Sequence, residues 1–254
     1  MQQNKVIEVR RNIKNVIAVM SGKGGVGKST VTAFLAKELK KLGYKVGIMD
    51  ADITGPSIPR LMNVKDKRST TDGQYFIPVT TKEGIKIISL NSVLPNEDEA
   101  VVWRGPVIAS AVMQFWNEVV WDDLDYLLID MPPGTGDVPL TVMKSIPLKG
   151  VVMVSIPQDM VSMIVAKAVN MARKMNVEVL GVVQNMSYIS CNDCNHKIYF
   201  SDDEDKEVLE KMGVELLGEL PMTKEIAKLS KGQEIYSGEI FSNITKKIVA
   251  KIEK

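Results

Sequence analysis

Between Asn15 and Leu220 the chain repeats one unit: a short, almost wholly apolar run followed by a stretch with helical spacing. The runs Asn15–Ser21, Tyr44–Asp50, Ile85–Val93, Tyr126–Asp130, Gly150–Ile156, Glu178–Gln184 and Val214–Leu220 read as strands. Helical spacing covers Ser29 to Leu42, Val107 to Trp121, Met160 to Met175 and the segment after the last strand. Strands that do not alternate apolar with polar residues are covered on both faces, which is the situation of parallel strands sandwiched by helices. The expected fold class is α/β, a three-layer, doubly wound, mostly parallel sheet. Residues 15–254 are expected to form one domain behind a polar tail, residues 1–14. Lys65–Gln74 reads as a loop, and the acidic run Asp202–Glu207 as the solvated start of a helix.

Composition narrows the partners. Of the 254 residues, 45% are apolar and 25% charged, which excludes a disordered or collagen-like chain. Thirty-two basic residues face 31 acidic ones, so a general nucleic-acid coat is not expected. The tail carries Lys5, Arg10, Arg11 and Lys14 but no apolar core of a secretory signal. No run approaches the roughly 18–20 apolar residues of a membrane span. Neither nucleic acid nor membrane is expected as a partner. With only two cysteines and no export signal, the expected compartment is the reducing cytoplasm.

Gly22-Lys23-Gly24-Gly25-Val26-Gly27-Lys28-Ser29 satisfies G-x-x-x-x-G-K-[ST] between a strand and a helix, the context that motif requires. Gly24, Gly25, Val26 and Gly27 let successive backbone N–H groups curl around phosphate oxygens, and the following helix adds its N-terminal dipole. Lys28 is expected to reach the β- and γ-phosphates, and the Ser29 hydroxyl to ligate Mg²⁺. The chain is therefore expected to bind a nucleoside triphosphate as a P-loop NTPase. Asp130 ends a strand as a Walker-B carboxylate would, reaching Mg²⁺ through water. Asp50 and Asp52 close another strand at the carboxyl edge, where ligands of open sheets bind. The turn Asp130-Met131-Pro132-Pro133-Gly134-Thr135-Gly136-Asp137 reads as a switch loop, with the Gly134 N–H as sensor of the γ-phosphate.

Cys191-Asn192-Asp193-Cys194 places two thiolates for one metal or cluster, or for a dithiol couple. Structural zinc normally takes four ligands, so the pair is incomplete within one chain. A symmetric dimer would double it to four thiolates, the complement of a bridging [4Fe–4S] cluster. Zinc in the same dimer and two structural cysteines stay open on sequence alone. His196, the only histidine, reads as a surface residue.

The lysine inside the loop, Lys23, makes GKGGVGKS resemble the deviant P-loop of the MinD, ParA and nitrogenase-iron-protein class. That resemblance implies an ATP-dependent homodimer in which Lys23 crosses to the partner's nucleotide, with the Thr30 hydroxyl near the α-phosphate. The ordered set SGKGGVGKST, DADITGPSIP, WRGP, DYLLIDMPPGTGD, QNMSY and CNDC, spanning residues 21 to 194, resembles the Mrp/ApbC-type iron–sulfur cluster carriers. What this implies is a homodimer holding a labile [4Fe–4S] cluster on Cys191 and Cys194 of both subunits, with slow ATP hydrolysis coupled to transfer to apo iron–sulfur proteins. It also implies that Asp52 positions the attacking water, that Asp50 lies near the Mg²⁺ shell and that Asn185 hydrogen-bonds adenine. The additional N-terminal domain of many bacterial relatives is not expected before Asn15.

A different class competes: a MinD- or ParA-like positioning ATPase acting on membrane or DNA. Its support is the tail FSNITKKIVAKIEK, where Phe241, Ile244, Ile248 and Ile252 share a helix face among lysines. Packing of that face on the domain is the favoured expectation.

Overall fold

A computed structural model describes residues 12–52, 55, 57–93, 105–157, 163–191, 194, 196–200, 204–223 and 238–254. Among the described residues eleven strands and eight helices follow one another in chain order. They are β1 (Ile13–Ser21), α1 (Lys28–Lys41), β2 (Val46–Asp50), α2 (Ile58–Leu61), β3 (Thr70–Thr71), β4 (Phe76–Ile77), β5 (Val79–Thr80), β6 (Lys86–Ile88), α3 (Leu90–Val93) and α4 (Gly105–Glu118). After them come β7 (Leu124–Asp130), α5 (Asp137–Ser145), β8 (Gly150–Ser155), α6 (Met163–Lys174), β9 (Val179–Ser190), β10 (Lys197–Tyr199), α7 (Glu204–Lys211), β11 (Leu216–Pro221) and α8 (Glu239–Ile252).

The main sheet runs β10-β9-β8-β1-β7-β2-β6-β5, with β11 also paired to β9. Pairings among β11, β9, β8, β1, β7, β2 and β6 are parallel; β5 and β10 are antiparallel additions. The fold is the expected α/β sandwich. Along β1, Val16, Ala18 and Met20 enter one core while Ile17 and Val19 enter the other. β8 does the same with Val151 and Met153 against Val152 and Val154. Each strand feeds two helix layers, which is why its sequence reads as continuously apolar.

Two strand boundaries differ from expectation. The run Ile85–Val93 is strand only at Lys86–Ile88 and then turns into α3. The Ser89 N–H donates to Ser92 Oγ at 3.1 Å, and that hydroxyl donates back to the Ser89 carbonyl at 2.6 Å. This side-chain turn competes with the ladder and ends it. Conversely, β9 continues past Gln184 to Ser190, because its polar residues there serve buried contacts rather than a loop. β1 begins at Ile13, inside the stretch read as tail, whose residues 1–11 lie outside the described residues. So do residues 158–162 at the expected start of α6, Trp103 and Arg104 of WRGP, and Asp202 and Asp203 of the acidic run.

The C-terminal helix packs on the domain. Phe241, Ile244 and Ile248 are buried, and the Phe241 ring stacks on Phe34 at 3.8 Å between centroids. Lys247 and Lys251 pair with Glu215 at 3.3 and 2.9 Å. The Tyr44 and Tyr126 hydroxyls donate to Glu253 Oε1 at 2.9 and 3.0 Å, fixing the helix end. The apolar face that a lipid surface would require is therefore already covered. Phe241→Ala is expected to cost about 3–5 kcal/mol of stability, the range for truncating a buried aromatic, read from the urea midpoint. Among the described residues no helix is long and apolar enough to cross a membrane.

Candidate functional site

Three adjacent strands, β1, β7 and β2, end at the same sheet edge and deliver the loop after Ser21, Asp130 with its turn, and Asp50–Asp52. The chain crosses from β1 to β2 and later returns to insert β7 between them, which opens the crevice at their carboxyl ends. A cavity of about 430 Å³ lies there, within the usual range for small-molecule sites. Gly24, Gly25, Gly27, Lys28, Ser29 and Thr30 line it. Asp52, Gly55, Ser57, Arg60, Leu61 and Pro133 line it as well.

The glycine loop is built for an anion. Gly25 and Gly27 have φ of +83° and +84°, a region other residues enter only with strain. Val26 points the other way, 1% exposed, and pins the loop to the core. The Ser21 hydroxyl donates to the Lys23 carbonyl at 2.9 Å, closing the loop's first turn. α1 begins with no side-chain cap and no acidic residue in its first turn. Its first N–H groups and its dipole therefore face the cavity without a competing carboxylate.

Behind the loop sits a knot of charge. Lys28 Nζ lies 2.8 Å from Asp130 Oδ2 and 3.6 Å from Asp52 Oδ2, with Lys28 6% and Asp130 0% exposed. The Ser29 hydroxyl donates to Asp130 Oδ2 at 2.6 Å, and the Thr32 hydroxyl donates to Asp130 Oδ1 at 2.7 Å. Ser29 and Asp130, expected to share a metal ion, are thus in direct contact. Asp50 stands apart from the cavity wall: 1% exposed, it accepts from the Ser89 hydroxyl at 3.1 Å and from the Asp52 N–H at 3.2 Å. Burial, with the Asp130 and Asp52 carboxylates nearby, pushes the Asp50 carboxyl well above its usual range despite the Lys28 cation. The structure gives Asp50 the place of a support under Asp52 rather than one facing the cavity.

Two other expected contacts look different in place. The Gly134 N–H donates to the Ser21 carbonyl at 2.8 Å, so touching a phosphate requires that bond to break. Gly134 has φ +86°, and its neighbour Pro133 reaches the cavity. Asn185 is 2% exposed behind the loop, and its Nδ2 donates to the Val26 carbonyl at 2.9 Å. Its Oδ1 has no donor among the described residues.

Sequence reasoning missed Thr32, Ser57, Arg60 and Ser89. Thr32 was legible in principle, one helical turn after Lys28 on the same face. Arg60 lies on α2, whose position over the cavity is set by tertiary packing.

The two cysteines lie away from that cavity, on the turn joining β9 to β10. Cys191 is half-buried and Cys194 exposed, and neither is in a disulfide. The Cys191 N–H donates to the His196 carbonyl at 2.9 Å, closing the hairpin. Asn192 and Asp193 lie outside the described residues. Among the described residues no three metal-ligating side chains cluster.

Comparison with known proteins adds what geometry cannot. The family described as ParA, NUBPL iron-transfer P-loop NTPase, matches residues 12–254. An iron–sulfur cluster carrier protein of Clostridium perfringens is 53% identical over 225 residues, 85% of this chain and 79% of that one. One of Methanocaldococcus jannaschii is 41% identical, covering 99% of this chain and 90% of that one. A nucleotide-binding protein of Archaeoglobus fulgidus, solved with ADP and with cobalt found in it, superposes with a TM-score of 0.79. It is 42% identical and covers 90% of both chains. The MinD component of the Aquifex aeolicus MinC:MinD complex has a TM-score of 0.68 at 19% identity, covering 93% and 96%, a likeness of fold alone. The chain belongs to the NUBPL iron-transfer P-loop NTPase family of the ParA class.

Proposed function

We propose that this protein is an ATP-dependent carrier of iron–sulfur clusters. It works as a cytoplasmic homodimer that holds a [4Fe–4S] cluster between Cys191 and Cys194 of both subunits and passes it to apo iron–sulfur proteins. The observation that carries this reading is the exposed thiol hairpin, two ligands per chain, built on the strand that backs the nucleotide loop. Relatives at 41–53% identity bear the carrier name. A cluster held by two thiolates from each of two chains is labile by construction, because opening the subunit angle separates its ligands.

ATP binds on the wall from Gly24 to Thr30, with Lys28 on its terminal phosphates, Thr30 near the α-phosphate and Lys23 reaching the partner's nucleotide. Ser29 Oγ and Asp130 Oδ2, 2.6 Å apart, are hard oxygen donors of the kind Mg²⁺ takes, so the site fits that ion. When bound, Mg²⁺ neutralises charge on the β- and γ-phosphates. Asp52, which also lines the cavity, orients the attacking water, and Asp50 positions Asp52 through its N–H. Asn185 offers Oδ1 to the adenine amino group. Loss of the γ-phosphate returns the Gly134 N–H to the Ser21 carbonyl, and the slow hydrolysis thereby moves the switch loop.

Anaerobic reconstitution of the purified protein with iron and sulfide tests the proposal. About four iron and four sulfide per dimer, with a thiolate-to-iron absorption band, is the expected result. Zinc in place of iron, or no metal, overturns it.

A further inference from the structure

β9 touches both sites, and its course between them is unusual. On the nucleotide side Asn185 interlocks with the glycine loop. Its Nδ2 holds the Val26 carbonyl, and a Cβ at Gly27 would stand 2.2 Å from that same nitrogen. No side chain fits at position 27 while Asn185 is in place. The amide thus fills the space against Gly27 while it bonds the carbonyl before it.

The next residue bends the strand. Met186 has φ +55°. The other described non-glycine residues with positive φ are Asn63, Asp122 and Asn176, the types that tolerate the left-handed region. Methionine gains nothing there, and strain of this kind persists where its surroundings fix it. The buried Ser187 hydroxyl ties the bend by donating to the Gln184 carbonyl at 3.0 Å.

At this bend the strand changes neighbours. Pairing with β8 ends at Ser155 opposite Gln184, and the β11 register jumps between Glu219 opposite Gln184 and Pro221 opposite Tyr188. Beyond it β9 pairs with β10 through Tyr188, Ile189 and Ser190, and the next residue is Cys191. The first thiol lies only six positions, roughly 20 Å of extended chain, beyond the amide on the loop.

We infer that Asn185 and Met186 form a strut that couples the nucleotide loop to the thiol hairpin within one subunit. Asn185 is a positioning residue that follows the Val26–Gly27 backbone, and the left-handed Met186 converts that movement into a change of hairpin angle. The inference rests on the reading of the loop as a nucleotide site.

The test uses the full-length, reduced, metal-free protein and measures the rate at which iodoacetamide alkylates Cys191 and Cys194. Rates are compared without nucleotide and with saturating Mg²⁺ and a non-hydrolysable ATP analogue, with oligomeric state followed by ultracentrifugation. The wild type is expected to change rate about five-fold or more, the lower end of ordinary site-to-site coupling. Asn185→Ala is expected to bind the analogue about ten-fold more weakly. At saturation, with the same oligomeric state, its thiol rates are expected not to respond. Met186→Asn, which tolerates the same backbone, keeps the response; Met186→Gly, which frees the bend, loses most of it at near-normal affinity. A wild type that binds the analogue with unchanged thiol rates overturns the coupling alone. So does a full response in saturated Asn185→Ala. A wild type that binds no nucleotide removes the nucleotide reading and the coupling together.

Discussion

Lys28→Ala is expected to weaken ATP binding about 100-fold and to reduce hydrolysis to background. The ammonium lies against Asp130 and Asp52, at 2.8 and 3.6 Å, and it lines the cavity where the phosphates enter. Hydrogen bonds to charged groups contribute about 1.5–3 kcal/mol each, so losing the contact with the terminal phosphates removes about two decades of affinity. The same substitution strips a buried carboxylate of its partner, a change that costs about 3–5 kcal/mol where nothing else compensates. Here the Ser29 and Thr32 hydroxyls still donate to Asp130, so the lower end of that range applies. Titration calorimetry with ATP, beside urea unfolding of the same sample, separates the two effects. Lys28→Met keeps the length of the side chain without its charge and is expected to lose as much affinity. Near-normal ATP binding by either folded variant overturns the assignment of this loop.

The parts of the fold that sequence makes legible are those whose signal is local. β1, β7 and β8 are apolar on both faces, and the glycine loop stands between a strand and a helix, so both follow from neighbouring residues. The rest depends on contacts across the chain. Ser89 and Ser92 end β6 through a four-residue side-chain turn that apolar periodicity overrides on paper. Gln184, Asn185 and Ser187 resemble the polar end of a strand, yet all three are at most 2% exposed and β9 runs on through them. Asp50 and Asp52 are indistinguishable by type and spacing. Only the packing of Ser89 and Asp130 around Asp50 shows that one is buried and protonation-prone while the other faces the cavity. The thiol pair was legible as a pair, but its place on an exposed hairpin continuous with the nucleotide-backing strand came from β9's unexpected length.

Cys191→Ala is expected to abolish cluster loading while leaving the nucleotide site intact. Iron in the reconstituted protein should fall from about four per dimer to near zero, since two thiolates cannot complete the cluster's four-ligand shell. The fold should survive. The hairpin is held at this position by the backbone, through the Cys191 N–H to the His196 carbonyl and the β9–β10 ladder, none of which needs the thiol. The half-buried position of Cys191 also limits the cavity that alanine would leave. ATP affinity is expected to stay within about two-fold, because neither cysteine lines the cavity and Asn185 keeps its contact with the loop. Cys194→Ala should behave alike if both thiols ligate the cargo equally. Zinc is measured beside iron, since four thiolates suit either metal. Retention of four iron per dimer in Cys191→Ala would place the cluster elsewhere, and loss of ATP binding along with the iron would mean that the substitution disturbs the fold rather than the ligand set.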